Sequence, residues 1–291
     1  MFRSSRHQLT EEPGEFLALS GVRQEAEIES SMLSIPGSNR ETQGNQREHW
    51  REHHPQLLES DLETLSDVGT FRTLALQDIA RYRFRNDIND AKKHFEAMAR
   101  QGLIQSRTSY PDRCIYVTLT RDGHRLASQA LADQNPTQKL YRGFVKTRQA
   151  QHDAALFRLY QQEAARIHKA GGKIRRVVLD FELQETVNRR LANVKSLSPQ
   201  DLTNEKNKIA QEHGLTVVQG KIPLPDLRLE YEGPDQQITK VDLELVTSHY
   251  HRGTLATKAK AGFAMYAFAE DAARLRPAME DPEIMQDIFS L

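Results

Sequence analysis

Three acidic residues on a stretch that reads as a β-hairpin, "PDLRLEYEGPDQQITKVDLELV" (225–246), have the chemistry to act together: Asp226, Asp242 and Glu244. Strand side chains alternate between faces, so Leu227, Leu229 and Tyr231 share one side while Asp226, Arg228, Glu230 and Glu232 share the other. In the second strand Val241, Leu243 and Leu245 oppose Lys240, Asp242 and Glu244 in the same way. A three-residue turn of Gly233, Pro234 and Asp235 makes the pairing symmetric about Pro234, setting Asp226 directly opposite Asp242 with Glu244 diagonal to both. Like charges about 5 Å apart across a ladder repel, and a divalent cation relieves the repulsion. Mg²⁺ takes a few carboxylates and keeps waters in its remaining octahedral positions, which suits hydrolysis of a phosphodiester by an activated water. The same residues also fit an ordinary amphipathic hairpin, with Arg228 and Lys240 among the acids on a solvated face.

The elements that must hold this hairpin form an α/β domain with a mixed sheet over 152–275. "HDAALFRLYQQEAARIHKAGG" is a helix with a glycine stop, "KIRRVVLDFEL" a strand, and "SPQDLTNEKNKIAQEHG" a helix capped by Ser198. A further strand, the hairpin and a long helix from about Thr254 to Leu275 complete it. Upstream, Leu57, Leu58, Leu62, Leu65 and Val68 recur at helical spacing, and Leu74, Leu76 and Ile79 mark a second short helix. A third helix follows in "NDINDAKKHFEAMARQGLI", with Ala91, Phe95 and Met98 inward and Gly102 at its end. Two strands around a Pro-Asp turn and a helix capped by Thr120 then give helix, helix, helix, hairpin, helix, the order of a winged helix, over 56–133. Residues 134–151 are basic and serve as the inter-domain linker; residues 1–55 are a polar, disordered tail, and 276–291 a C-terminal tail. His49, His53 and His54 around Trp50 are solvated in the N-terminal tail. His249 and His251 lie in a loop that borders the acids.

Forty Lys+Arg balance forty Asp+Glu in the 291 residues, so any basic footprint must be local. One lies at the third helix, where Asn86, Asn89, Lys92, Lys93 and His94 occupy the end that meets base edges in a DNA reader. Arg81, Arg83 and Arg85 in the preceding turn, with Arg107 and Arg113 on the wing, add positive charge for phosphates. Double-stranded DNA is the expected partner. Cys114 is the only cysteine, which excludes an internal disulfide and a cysteine-rich zinc site and fits a cytoplasmic protein. No stretch has the length of a signal peptide's apolar core or a membrane span.

"GLI" followed by "YVTLTRDGHRLA" (116–127) resembles the wing and closing helix of winged-helix DNA-binding domains. With "HDAALFRLYQQE", a strand, "PDLRLE", "VDLELV" and a helix bearing lysines, the chain from about Leu57 to Phe268 resembles the replication-relaxation family of plasmid and mobile-element proteins. The resemblance implies a restriction-endonuclease-like second domain. That fold's active site is a Pro-Asp on one strand and an acid, any residue, then lysine on the next. Pro225 and Asp226 match the first element and Asp242 the second element's acid, while Glu244 stands where the lysine is expected. The resemblance allows a lysine to arrive from the next helix, through Lys258 or Lys260, and an extra acid from Glu163. Two readings follow. In the first, a winged helix finds a DNA site and a nuclease-like domain nicks DNA with Mg²⁺ or keeps the fold without the activity, which leaves the assignment as an enzyme open. In the second, a transcriptional regulator or antitoxin-like repressor uses its C-terminal domain for homodimerisation, or docks a protein through an amphipathic helix in "EDPEIMQDIFSL".

Overall fold

The computed structural model describes residues 57–110, 113–132, 134–194, 198–279 and 288–291; the N-terminal tail with His49, Trp50, His53 and His54 lies outside them. The first elements are α1 (Glu59–Thr70), β1 (Leu74–Ala75), α2 (Leu76–Arg83), α3 (Ile88–Arg100), β2 (Ile104–Thr108), β3 (Ile115–Leu119) and α4 (Arg121–Ala132). The three strands form an antiparallel sheet in the order β1-β3-β2. Local chemistry sets these boundaries. The Asp87 carboxylate accepts the backbone N–H groups of Asn89 and Asp90 at the start of α3, and Ala91, Phe95 and Met98 bury one face of it. Gly102 leaves that helix at φ 71°. Thr120 Oγ accepts the Gly123 N–H at 3.1 Å, capping α4 as its sequence foretells.

Gly123 itself is required by close approach. A Cβ there would lie 1.8 Å from the Leu103 carbonyl oxygen, which belongs to the backbone and cannot swing aside. Gly123→Ala is therefore expected to cost about 1–3 kcal/mol through forced separation of α4 from the hairpin base, read as a lower thermal midpoint.

The second part contains α5 (Thr147–Lys169), β4 (Lys173–Leu179), α6 (Asp180–Ala192), α7 (Pro199–Glu212), β5 (Leu227–Glu232), β6 (Ile238–Leu245), α8 (Arg252–Lys260), β7 (Ala264–Ala267), α9 (Ala269–Met279) and β8 (Ile288–Ser290). Its five strands run in the order β4-β5-β6-β7-β8, antiparallel from β4 to β6 and parallel from β6 to β8, a mixed sheet in an α/β arrangement. Several expectations need correction. The strand read through "DFEL" stops at Leu179, and Asp180 and Glu182 open α6 instead, where acids favour the positive end of a helix. The stretch between α7 and β5 holds only an isolated bridge, Val218 to Lys221, and no strand. The long helix from Thr254 is broken at Gly262, whose φ of 84° suits glycine, and Met265, Tyr266 and Ala267 bury themselves as β7. The C-terminal residues Ile288–Ser290 add an edge strand beside β7; the preceding residues of the docking helix read in the sequence lie outside the described ones.

The first helix of this part starts at Thr147 and not at His152, so the end of the basic segment is already helical. The rest of that segment is docked along its length. Tyr141 N–H donates to Gly69 O at 2.7 Å, Tyr141 Oη donates to Glu182 at 2.8 Å, and the Gln138 side-chain amide pairs with both N–H and C=O of Val177 on the β4 edge. One apolar core runs from Leu65 and Phe71 through Phe157 and Leu159 to Leu227, Leu243 and Tyr266. Phe71 meets Phe157 edge-on at 5.3 Å and Tyr160 at 5.2 Å, and Arg72 grips Asp153 of α5 through two bonds of 2.9 and 3.0 Å. Among the described residues no helix is long and apolar enough to cross a membrane.

Candidate active site

The hairpin keeps the expected faces but not the expected register. Leu227, Leu229, Leu243 and Leu245 enter the core, and the acids share the opposite face. The pairing is Glu230 with Lys240, Arg228 with Asp242 and Leu227 with Leu243. The cause is the turn. Gly233 N–H donates to Gln237 O at 2.9 Å, Gln236 N–H donates to Gly233 O at 2.9 Å with Gln236 at φ 61°, and Asp235 Oδ1 accepts the Gln237 N–H at 3.2 Å. This wider turn moves the centre of pairing from Pro234 to Asp235. Odd still pairs with odd and even with even, so the faces survive while Asp226 is brought against Glu244 and away from Asp242.

Asp242 therefore does not stand opposite Asp226, as the symmetric turn would have set it, but opposite Arg228. Its two oxygens accept from Arg228 Nε at 2.6 Å and Arg228 Nη2 at 2.8 Å, and Arg228, only 4% exposed, also donates to His213 O at 2.6 Å. The solvated face expected for Arg228 holds instead an ion pair, with the guanidinium buried against the carbonyls that follow α7.

Asp226 and Glu244 form the acid centre. Glu244 has no solvent exposure, and its Oε2 accepts the Asp226 backbone N–H at 3.3 Å. Asp226 Oδ2 accepts the Leu245 N–H at 2.8 Å. Lys258 of α8 places Nζ 2.6 Å from Glu244 Oε1 and donates to Leu224 O at 2.7 Å. Tyr250 Oη donates to the same glutamate oxygen at 2.7 Å. His152 Nε2 lies 3.8 Å from Asp226 Oδ1. Burial pushes Asp226 up to about 6, with Lys258 opposing and Asp180 adding to the rise. Burial and then the Asp226 charge push Glu244 up to about 7, against the pull of Lys258. Burial and the two carboxylates also hold the Tyr250 phenol far above its ordinary range.

A fully buried and a half-buried carboxylate that resist joint ionisation, with Lys258 on one of them, are a place where added positive charge is favourable. Mg²⁺ needs only one or two protein carboxylates, so Asp226 and Glu244 fit such an ion. Among the described residues no group of three or more His, Cys, Asp or Glu side chains gathers round a metal position. Glu163 is elsewhere: its carboxylate accepts from Tyr266 Oη at 2.6 Å and Arg166 Nε at 2.9 Å. It sits roughly 16 Å along α5 from His152 at 1.5 Å per residue. His249 and His251 are exposed and take no part. Lys260 is exposed at the end of α8, and Lys258 alone of the two lysines contacts Glu244. His152, Tyr250 and Asp180 carry no signal of this site in the sequence, except that Tyr250 lies within the "SHYHRG" cluster.

Of the ten residues expected to face DNA, Arg83 and His94 are engaged internally. Arg83 binds Asp67 at 2.7 Å and Glu63 at 2.9 Å, while His94 is 3.4 Å from Asp61 and packs against Phe84. Arg85, Asn86, Asn89, Lys92 and Lys93 are exposed at the start of α3, and Arg107 and Arg113 are exposed on the β2–β3 hairpin. Arg81 is exposed with its guanidinium 5.4 Å from the Tyr82 ring centre. No protein-family model matches this sequence, and no curated protein is found to be similar to it.

Proposed function

We propose that this chain is a DNA-binding protein with a metal-dependent nuclease centre: residues 56–133 act as a winged helix that finds the site, and Asp226, Glu244 and Lys258 act on the phosphodiester. The observation that carries the reading is the convergence of Lys258 Nζ, at 2.6 Å, on a buried glutamate that accepts the Asp226 backbone N–H. This supplies from α8 the lysine that the hairpin itself lacks. A restriction-endonuclease-like fold is part of the same proposal, supported by the mixed sheet with Asp226 just before β5 and Glu244 on the adjacent β6. So are membership of the replication-relaxation family and a plasmid or mobile-element setting, which rest on the sequence resemblance.

Asp226 and Glu244 would hold Mg²⁺, which when bound supplies a Lewis acid and an activated water. Lys258 is placed to hold negative charge developing on the phosphate, a role whose loss costs about 100-fold or more in rate. Tyr250 fixes the rotamer of Glu244, and His152 supports Asp226 from α5. The exposed cations on α3 and the β2–β3 hairpin hold the duplex.

Supercoiled plasmid incubated with the protein and Mg²⁺ or Mn²⁺ is expected to yield relaxed or linear product, and Lys258→Ala is expected to slow that conversion by about 100-fold while leaving DNA binding in place. No conversion with either metal, at protein levels that retard DNA in a gel, would leave binding alone as the function.

A further inference from the structure

The stretch 134–152, "QNPTQKLYRGFVKTRQAQH", holds Lys139, Arg142, Lys146 and Arg148 and no Asp or Glu, in a chain whose charges otherwise balance. Lys139 is occupied, 3.3 Å from Glu182. Arg142, Lys146 and Arg148 are exposed, and none of the three forms an ion pair among the described residues.

The position of this run gives it a use. Phe144 and Val145 pack with Tyr116 and Ala75 near the turn end of the β2–β3 hairpin, and Arg107 of that hairpin stacks its guanidinium 4.6 Å over Phe144. Ala150 and Ala154 of α5 join the same cluster. Between them, on another face of the same helical turn, His152 reaches Asp226. Arg148 stands one turn before His152, and side chains four apart on a helix are neighbours, about 5–6 Å apart at Cβ. The first two turns of α5 therefore touch the hairpin on one side and the acid centre on the other, with free cations leading from the first to the second.

We propose that the Arg142–Arg148 segment is a phosphate track that carries double-stranded DNA from the β2–β3 hairpin across the Asp226–Glu244 pair. The track fixes the reacting phosphate within about one duplex turn, roughly 10 base pairs, of the hairpin contact. This rests on the nuclease reading above and adds to it the path of the substrate and the offset between grip and cut.

The test is the triple variant Arg142→Gln/Lys146→Gln/Arg148→Gln in the full chain, with DNA affinity measured against salt. Each lost phosphate contact removes about 0.9 from the slope of log K on log salt, so the slope is expected to fall by about 2.7. Affinity is expected to drop by at least about 10-fold with the melting temperature unchanged. A photoreactive benzoylphenylalanine at Thr147, and in a second variant at Tyr110, is expected to crosslink to positions within about 10 base pairs of each other on one duplex. If the triple variant keeps wild-type slope and affinity while Lys92→Gln/Lys93→Gln weakens binding, DNA lies on α3 alone and the track is overturned with the nuclease reading intact. Crosslinks more than a duplex turn apart overturn it equally. Wild-type protein that retards no DNA overturns both.

Discussion

In the presence of a chelator, Asp226→Asn is expected to melt at a higher temperature than the wild type at pH 7.5; it is also expected to lack the rise in melting temperature with Mg²⁺ proposed for the wild type, and about 100-fold or more of the proposed plasmid nicking. The opposed effects on stability and activity are the signature. Asp226 is lifted from 3.8 to about 6 by burial, with Asp180 adding to the rise, and Glu244 from 4.5 to about 7 by burial and then by the Asp226 charge. Both folded values lie above the unfolded ones, so the native state holds these protons more tightly. The stability this gives is fully present below about pH 4 and declines as pH rises through the window from about 4 to 7. The neutral amide removes one charge of the pair and should restore on the order of 1–3 kcal/mol near neutrality, flattening the wild-type decline. A variant less stable than wild type in chelator would mean that the pair is not strained by like charge, and an unchanged response to Mg²⁺ would exclude Asp226 as a ligand.

The second large effect concerns Arg228. Replacing it with methionine leaves the largely enclosed Asp242 carboxylate without its two charged bonds, which is expected to cost about 3–5 kcal/mol, a fall on the order of 10 °C in melting temperature. Arg228→Met/Asp242→Leu should recover most of that, because two apolar side chains of similar reach carry no unpaired charge. Asp242→Asn should weaken the fold while preserving the melting response to Mg²⁺, since the paired oxygens at 2.6 and 2.8 Å face the guanidinium and not the acid centre. Loss of the Mg²⁺ response in Asp242→Asn would return Asp242 to the metal set.

The two variants probe the one point where sequence reasoning went astray at the site. Alternation along 227–231 and 241–245 identifies the faces, since a strand's apolar side must enter the core. It does not distinguish registers that differ by two residues, because both keep even opposite even; that choice belongs to the turn, where Asp235 and Gln236 build a wider loop than Gly233-Pro234-Asp235 suggests. Lys258 was legible only through resemblance. His152 and Tyr250 come from α5 and the loop before α8, and no spacing rule links them to the hairpin. Caps were read well at Thr120 and Ser198, because a side-chain oxygen bonding a nearby N–H is a local event. The failures at α6 and β7 have a shared origin: "VVLDFEL" and "AGFAMYAFA" carry residues suited to either state, and the tertiary position decided.

The aromatic contact of Phe71 with Phe157 and Tyr160, and the Arg72–Asp153 grip beside it, bear on how such a protein can be taken apart. Cutting the chain after α4 would strip partners from one half and bare an oily, charge-scarred wall on the other. Neither piece would behave as a transplantable cassette. Exchanging residues 57–132 for another unit would succeed only with a replacement that brings its own knob for the socket on α5, so the two parts of this molecule are inherited together.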